Sequence, residues 1–367
     1  GKSLIEIKTE IGNTLVCTAD HPLLTINSKG EMDWKETSQL SVGDYIACIK
    51  EIKIEEKNPD ILKLISADNS LKVADKLLIT ELIKGLKKKN IKTSEFSRYY
   101  HNAMPISLFF NLVEKAGLDY DSLILTDNYG KSDCIKLPTQ LDFKLSYILG
   151  AMLGDGHLGN RKGHGGEVVF SDLDRTSVSN EFQKMAREIF GVKMKKESRK
   201  GLISYNSAFA SLLHLFGIPK GRKAKIIQVP RFMFFADINS IKGFLKGIFD
   251  TDGHASRYGV SISSVSERFI TELKWLFLRI GILGSIEKRA VNNQFIQNRK
   301  INGAVIFTFK FSGRQNLLRF LEISPNRDKC KNLIKTLNST KKPETRSKEI
   351  LPVLELMKKI KNINKNK

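Results

Sequence analysis

The sequence predicts an α+β protein: a duplicated αββαββα unit with pseudo-twofold symmetry, preceded by an all-β module and a small helical insert. Three observations carry this. Two apolar segments, Ile148-Leu-Gly-Ala-Met-Leu-Gly-Asp155-Gly156 and Leu245-Lys-Gly-Ile-Phe-Asp-Thr-Asp252-Gly253, share a Gly in mid-segment and an acid-Gly ending. The elements that follow the first recur in order after the second. Before both, residues 3–49 alternate at strand period and then give way to helical spacing.

The strand-rich module, residues 1–50, has turn signals at Ile11-Gly-Asn13, Asn27-Ser-Lys-Gly30 and Val42-Gly-Asp44. Within it stands Thr18-Ala-Asp20-His21-Pro22. A His held by a neighbouring hydroxyl or carboxylate can donate a proton to a scissile amide; alone at a strand end it also reads as structural. Residues 51–135 turn polar and helical, with apolar spacing over 61–65, 73–86, 94–100 and 106–116. Basic and aromatic groups meet there at Leu86-Lys-Lys-Lys89 and Ser97-Arg98-Tyr-Tyr100-His101. The region reads either as a DNA-contacting insert or as a solvated linker, and Lys136-Leu-Pro138 marks its end.

Residues 136–325 hold the doubled unit. A Gly inside a helix costs about 1 kcal/mol relative to Ala, so Gly150 and Gly247 at matching places predict two backbones in contact. Parallel packing there would carry Asp155 and Asp252 to one point. Two carboxylates that close repel unless a cation lies between them, and hard oxygen donors suit Mg²⁺ or Mn²⁺ completed by phosphate oxygens. Either segment alone also reads as a core helix ended by a turn; the pairing favours a site. After Asp155 the reading is a Gly-rich stretch over 157–166, strand 167–171, helix 178–190, strands 192–196 and 202–205, and helix 208–216. After Asp252 it is strand 258–262, helix 265–280, strands 285–289 and 304–311, and helix 314–321. Lys193, Lys195, Lys196, Arg199 and Lys200 in one half answer Lys288, Arg289, Arg299, Lys300 and Lys310 in the other, and such a ribbon can enter a major groove. His157 and His254 each follow an acid by two residues, which suits phosphate contact or turn packing. The tail, residues 326–367, is basic and helical.

Composition narrows the partner. Lys and Arg number 61 against 39 Asp and Glu, a net charge of +22, and such an excess implies a polyanion, with double-stranded DNA first. A Lys-rich background composition would account for part of it. No apolar run approaches the roughly 20 residues of a membrane span, and no signal-like start is seen. Cys17, Cys48, Cys134 and Cys330 have no paired spacing, which suits structural thiols in a reduced cytoplasm.

The paired segments resemble the two dodecapeptide motifs of the LAGLIDADG homing endonucleases, the second closely, the first with Leu153 and Gly154 replacing the family's inner Asp and Ala. The resemblance implies a saddle-shaped, site-specific double-strand DNA endonuclease, monomeric through an internal pseudo-dimer, that hydrolyses phosphodiester bonds with a divalent metal. It makes Asp155 and Asp252 the catalytic and metal-binding acids, with neighbouring Gly154 and Thr251 in the coordination. The stretch Lys220 to Pro230 is similar to the basic-then-Pro block of intein endonucleases, where a Lys stands near the metal. Ile227 occupies the position expected for it, so Lys223 or Lys225 would substitute, and Gln228 could hold a water. Residues 13–25 with Trp34 to Ala47 are similar to the second N-terminal block of inteins, the Hint splicing module, which would make Thr18 and His21 the pair that activates a splice bond. The chain opens on Gly1 without a Cys or Ser nucleophile and closes on Asn364-Lys-Asn366-Lys367. By itself it is expected not to splice, with host exteins outside it. The alternative is a DNA- or RNA-binding protein on the same scaffold, a maturase or a decayed nuclease.

Overall fold

The structure is a computed structural model that describes residues 3–339 except 28, 69, 121, 131–132, 162–164, 172–175, 198–200, 292–293, 297–298 and 302, with the side chains of 160, 161, 165, 176, 294–296 and 299–301 also left out. The expected contacts of Arg199, Lys200, Arg299 and Lys300 and the tail beyond residue 339 therefore lie outside the described residues.

The first module is all-β. Strand β1 (Leu4–Lys8) pairs antiparallel with β2 (Thr14–Thr18), and β3 (Pro22–Ile26) lies between β4 (Met32–Glu36) and β5 (Tyr45–Ile46). Gly12 turns the first hairpin at φ 77°.

The insert departs from the helical expectation. It runs α1 (Ile61–Ile65), β6 (Leu71–Val73), α2 (Lys76–Lys88), β7 (Met104–Pro105), α3 (Ile106–Ala116), β8 (Leu123–Asp127) and β9 (Ile135–Leu137), with a 3₁₀ turn at Ser94–Tyr100. The strands form one sheet in the order β7-β6-β8-β9. They are two to five residues long, too short for alternation to register against the helical spacing around them. Buried Leu71, Val73, Leu123 and Leu125 line one face, and buried Leu86 and Phe109 of the helices join the same core. The helices have the ends their sequence calls for, Asp75 accepting from Leu78 N before α2 and Gly117 at φ 60° after α3.

The doubled unit follows. In the first copy α4 (Phe143–Gly154) leads to β10 (Gly156–Arg161), β11 (Gly165–Phe170), α5 (Thr176–Phe190), β12 (Lys195–Glu197), β13 (Gly201–Ser204) and α6 (Ser207–Leu215). In the second, α7 (Ile238–Asp252) leads to β14 (Gly253–Ala255), β15 (Gly259–Ser264), α8 (Glu267–Arg279), β16 (Ser285–Val291), a hairpin of β17 (Gln294–Ile296) and β18 (Arg299–Ile301), β19 (Ala304–Ser312) and α9 (Arg314–Leu321). The sheets are β10-β11-β13-β12 and β14-β15-β19-β16, the same permutation once the hairpin is set aside. The stretch read as Gly-rich contains strand β10 and the start of β11, paired in register from Gly156 opposite Phe170 to Arg161 opposite Gly165; its glycines carry no side chain that would mark a period. Helix α10 (Arg327–Ser339) closes the described chain. All four cysteines are free thiols. No described helix is long and apolar enough to cross a membrane.

Each sheet buries one face under its helices. Phe170 of β11 stacks on Phe182 of α5 with centroids 4.1 Å apart, and Phe309 and Phe311 of β19 pack on Phe277 of α8. The insert rests on the first half, where Asn206 Nδ2 donates to Asp133 O at 2.7 Å. The first module rests on the second half. Gly12 lies so close to β16 that a Cβ there would sit 3.2 Å from the backbone of Ile286, and the buried Lys274 ammonium donates to Ile11 O at 2.9 Å and to Asn13 Oδ1.

Candidate active site

The centre of the molecule is the joint between α4 and α7. A Cβ on Gly150 would fall 2.2 Å from Phe244 O, and one on Gly247 would fall 2.3 Å from Tyr147 O. The two backbones are therefore in direct contact, as the mid-segment glycines predict. A third glycine, Gly243, extends the seam one turn back toward Phe143, whose carbonyl would lie 2.2 Å from its Cβ. At the far end Gly154 abuts Thr251, and its Cβ position lies 3.2 Å from Asp252 Oδ2. So the carboxylate that ends α7 reaches the last turn of α4, next to Asp155 on its C-cap.

Both acids stand at helix C-termini, where unpaired carbonyls and the helix dipole disfavour negative charge. The chain answers with two lysines. Lys223, from the segment between the halves, donates to Met152 O at 2.6 Å, to Leu153 O, and to Gly154 O at 2.7 Å. Lys329, from the first turn of α10, donates to Phe249 O, Thr251 O and Gly253 O at 2.8–2.9 Å. Burial pulls the Lys223 ammonium down to about 8, against the opposing pull of Asp252 and Asp155.

Several expected residues are relocated. Of the two candidate lysines, Lys223 reaches the acids while Lys225 is exposed, and Ile227 is buried in the core. Gln228 is half-buried on the strap before Pro230. Gly154 and Thr251 are expected from the resemblance to lend oxygens to a metal; in the structure their carbonyls accept the Lys223 and Lys329 ammonium groups. Lys329 has no counterpart in the sequence reading. It lies in what reads as a basic tail, and only the fold brings it back to α7.

The basic residues of the sheets divide by face, because neighbours along a strand alternate and directly paired residues share a side. In the first sheet Lys195 pairs with Ile203 and lies on the side of His157 and Val169, whereas Lys196 pairs with Leu202 beside Phe170, on the helix side. In the second sheet Arg289 and Lys310 share the open side with Thr308 and His254, Lys310 being paired with Glu287. Lys288 lies on the other side, 5.5 Å over the Phe307 ring. Lys193 precedes β12 and lines a groove with Asn180, Gln183, Lys184 and Arg187 of α5. Sequence alone groups these residues as one DNA-facing set; strand alternation removes Lys196 and Lys288 from it, and the later start of β12 removes Lys193.

At the first module, His21 N donates to Thr18 O at 3.1 Å, and the His21 carbonyl accepts from Thr37 N and Oγ1 at 2.9 Å. The His21 side chain is exposed.

The donor set at the joint fits a hard divalent cation: Asp252 Oδ2 stands where a side chain on Gly154 would intrude, and the Asp252 and Asp155 carboxylates both lie near enough to act on the Lys223 ammonium. No group of three or more His, Cys, Asp or Glu that could hold a metal occurs among the described residues.

Residues 239–324 match the model of the LAGLIDADG-like domain. Among curated proteins the chain is 25% identical over 342 residues to elongation factor 2 of Methanopyrus kandleri, covering 86% of this chain and 25% of that protein. It is 26% identical over 379 residues to a probable translation initiation factor IF-2 of Thermococcus kodakarensis, covering 97% and 29%. It is 24% identical over 308 residues to a glutamine–fructose-6-phosphate aminotransferase of Methanocaldococcus jannaschii, covering 78% and 27%. The chain thus spans less than a third of the length of these relatives. Among solved structures it is similar to the homing endonuclease I-DmoI in complex with DNA and Mn, at 13% identity and a TM-score of 0.34, over 49% of this chain and 95% of that one.

Proposed function

We propose, from the premise that residues 239–324 are a LAGLIDADG-like domain, that this chain is a site-specific double-strand DNA endonuclease carried within an intein. One observation carries the nuclease reading: two helices in backbone contact each end on an acid, and each such end is closed by a lysine. Asp155 and Asp252 would hold Mg²⁺ or Mn²⁺. When bound, such an ion polarises a phosphoryl oxygen and lowers the pKa of a water. The residues of the chain then divide the remaining work. Lys223 and Lys329 offset the negative helix ends and set positive charge where a cleaved phosphate gathers charge. His157, Lys195, His254, Arg289 and Lys310 give the open faces polar and basic groups for the duplex.

The intein reading draws support from the relatives. An elongation factor, an initiation factor and an aminotransferase share no reaction, yet each matches most of this chain along under a third of its own length. An element that resides in unrelated hosts accounts for that pattern; a domain serving each host's reaction does not. Thr18 and His21 would belong to the splicing module.

The test is a supercoiled plasmid bearing the uninterrupted host gene, incubated with the purified chain and Mg²⁺ or Mn²⁺. Linear product is expected. Asp155→Asn and Asp252→Asn should each slow one strand by about a hundredfold or more, leaving nicked circles cut on opposite strands. Tight binding with every strand intact would favour the non-cleaving alternative.

A further inference from the structure

We propose that Asp250 is a positioning residue that fixes the start of α10 and so holds the Lys329 ammonium at the end of α7, beside Asp252. What Lys329 then does to a substrate rests on the nuclease reading; its placement does not. Asp250 is fully buried. Its Oδ1 accepts the backbone N–H of Asn326 at 2.7 Å. Asn326 is the residue that starts α10, since its own Oδ1 accepts from Asp328 N at 3.1 Å and Lys329 N at 3.2 Å. The carboxylate therefore grips the cap of the helix that presents Lys329.

The other oxygen binds the buried ammonium of Lys246, one turn earlier on α7. Lys246 also pairs with Glu181 of α5 at 2.9 Å and lies 4.7 Å over the Tyr147 ring of α4. Asn326 Nδ2 donates in turn to Ser177 Oγ of α5 at 3.1 Å. One ionic knot thus ties the second half's capping loop to helices of both halves.

Buried ion pairs seldom stabilise more than apolar groups of the same volume would, so stability alone gives little reason for this one. The first half shows that the motif does not require it: Leu153 stands at the place matching Asp250. There the lysine is delivered by backbone instead, with Gly221 N donating to Leu158 O at 2.8 Å and Lys220 bridged to Leu158. The halves meet the same need by different means, and only the second depends on a side chain that can be removed.

The experiment is competitive acetylation of the native full chain with acetic anhydride, read lysine by lysine by mass spectrometry. In the unaltered chain Lys329 should be protected relative to the exposed Lys331 and Lys335 on the same helix. In Lys246→Leu/Asp250→Leu, which removes both buried charges together, Lys329 labelling should rise about tenfold or more while Lys223 stays protected. Asp250→Asn, which keeps an oxygen for Asn326, should leave Lys329 mostly protected. Unchanged protection of Lys329 in the double variant overturns the proposal. So does a parallel rise at Lys223, which would mean that the knot holds the fold and not the lysine. On plasmid, the double variant should slow cutting of the same strand that Asp252→Asn slows, by about a hundredfold. A chain that labels as expected but never cuts would sink the nuclease reading and leave the positioning intact.

Discussion

Lys274 is a side chain whose environment sets a measurable trend. Burial beneath the Ile11 to Asn13 turn lowers its ammonium to about 8 from an ordinary 10.5. Below pH 8 the group is charged in both states and the folded chain bears the cost of burying it. Between pH 8 and 10.5 the folded state releases a proton that the unfolded chain keeps, so stability rises with pH across that window. Urea denaturation at steps from pH 7.5 to 10.5 should show this rise in the unaltered chain and a flatter curve in Lys274→Met; equal slopes would contradict it. Residues differ in how visible they are from sequence. Asp155 and Asp252 stand out because each ends a recognisable phrase. Lys223 stays tied with Lys225, since spacing along a strap does not say which side chain turns inward. Lys329 carries no local mark, because its partners are backbone carbonyls far off in the chain.

At the level of elements, the α4–α7 seam leaves no room for a side chain at Gly150, Gly243 or Gly247. Replacing Gly247 with Ala adds helix propensity worth about 1 kcal/mol, yet puts a carbon 2.3 Å from Tyr147 O and 2.6 Å from Ala151 N. Backbone cannot yield as a side-chain tip can, so the variant should lose about 2–3 kcal/mol, read as a lower urea midpoint at unchanged slope. Gly150 and Gly247 make this seam readable from sequence, and hydrophobic period recovers the helices and the longer strands of both copies but not β10, β14 or the β17–β18 hairpin. What escapes is the sheet of the insert. Strands such as Leu71–Val73 and Met104–Pro105 are defined by their partners and not by any pattern of their own.

For the molecule as a whole, +22 charges forecast DNA affinity that falls steeply with salt, and the division of faces says which charges matter. Arg289→Gln or Lys195→Gln should reduce the slope of log affinity against log salt by about 0.9 for each phosphate no longer neutralised. Lys288→Gln and Lys196→Gln, on the helix side of their sheets, should leave it unchanged. Titration from low to moderate salt distinguishes these, and equal slopes for both pairs would disprove the assignment of faces.

The placement of Lys223 also limits how the chain can be taken apart. It sits on the strap between α6 and α7, yet its ammonium closes α4. Excising the first repeat ahead of that strap would part the ammonium from the carbonyls it closes, so half-molecules recombined from different parents must inherit the connector together with the earlier copy.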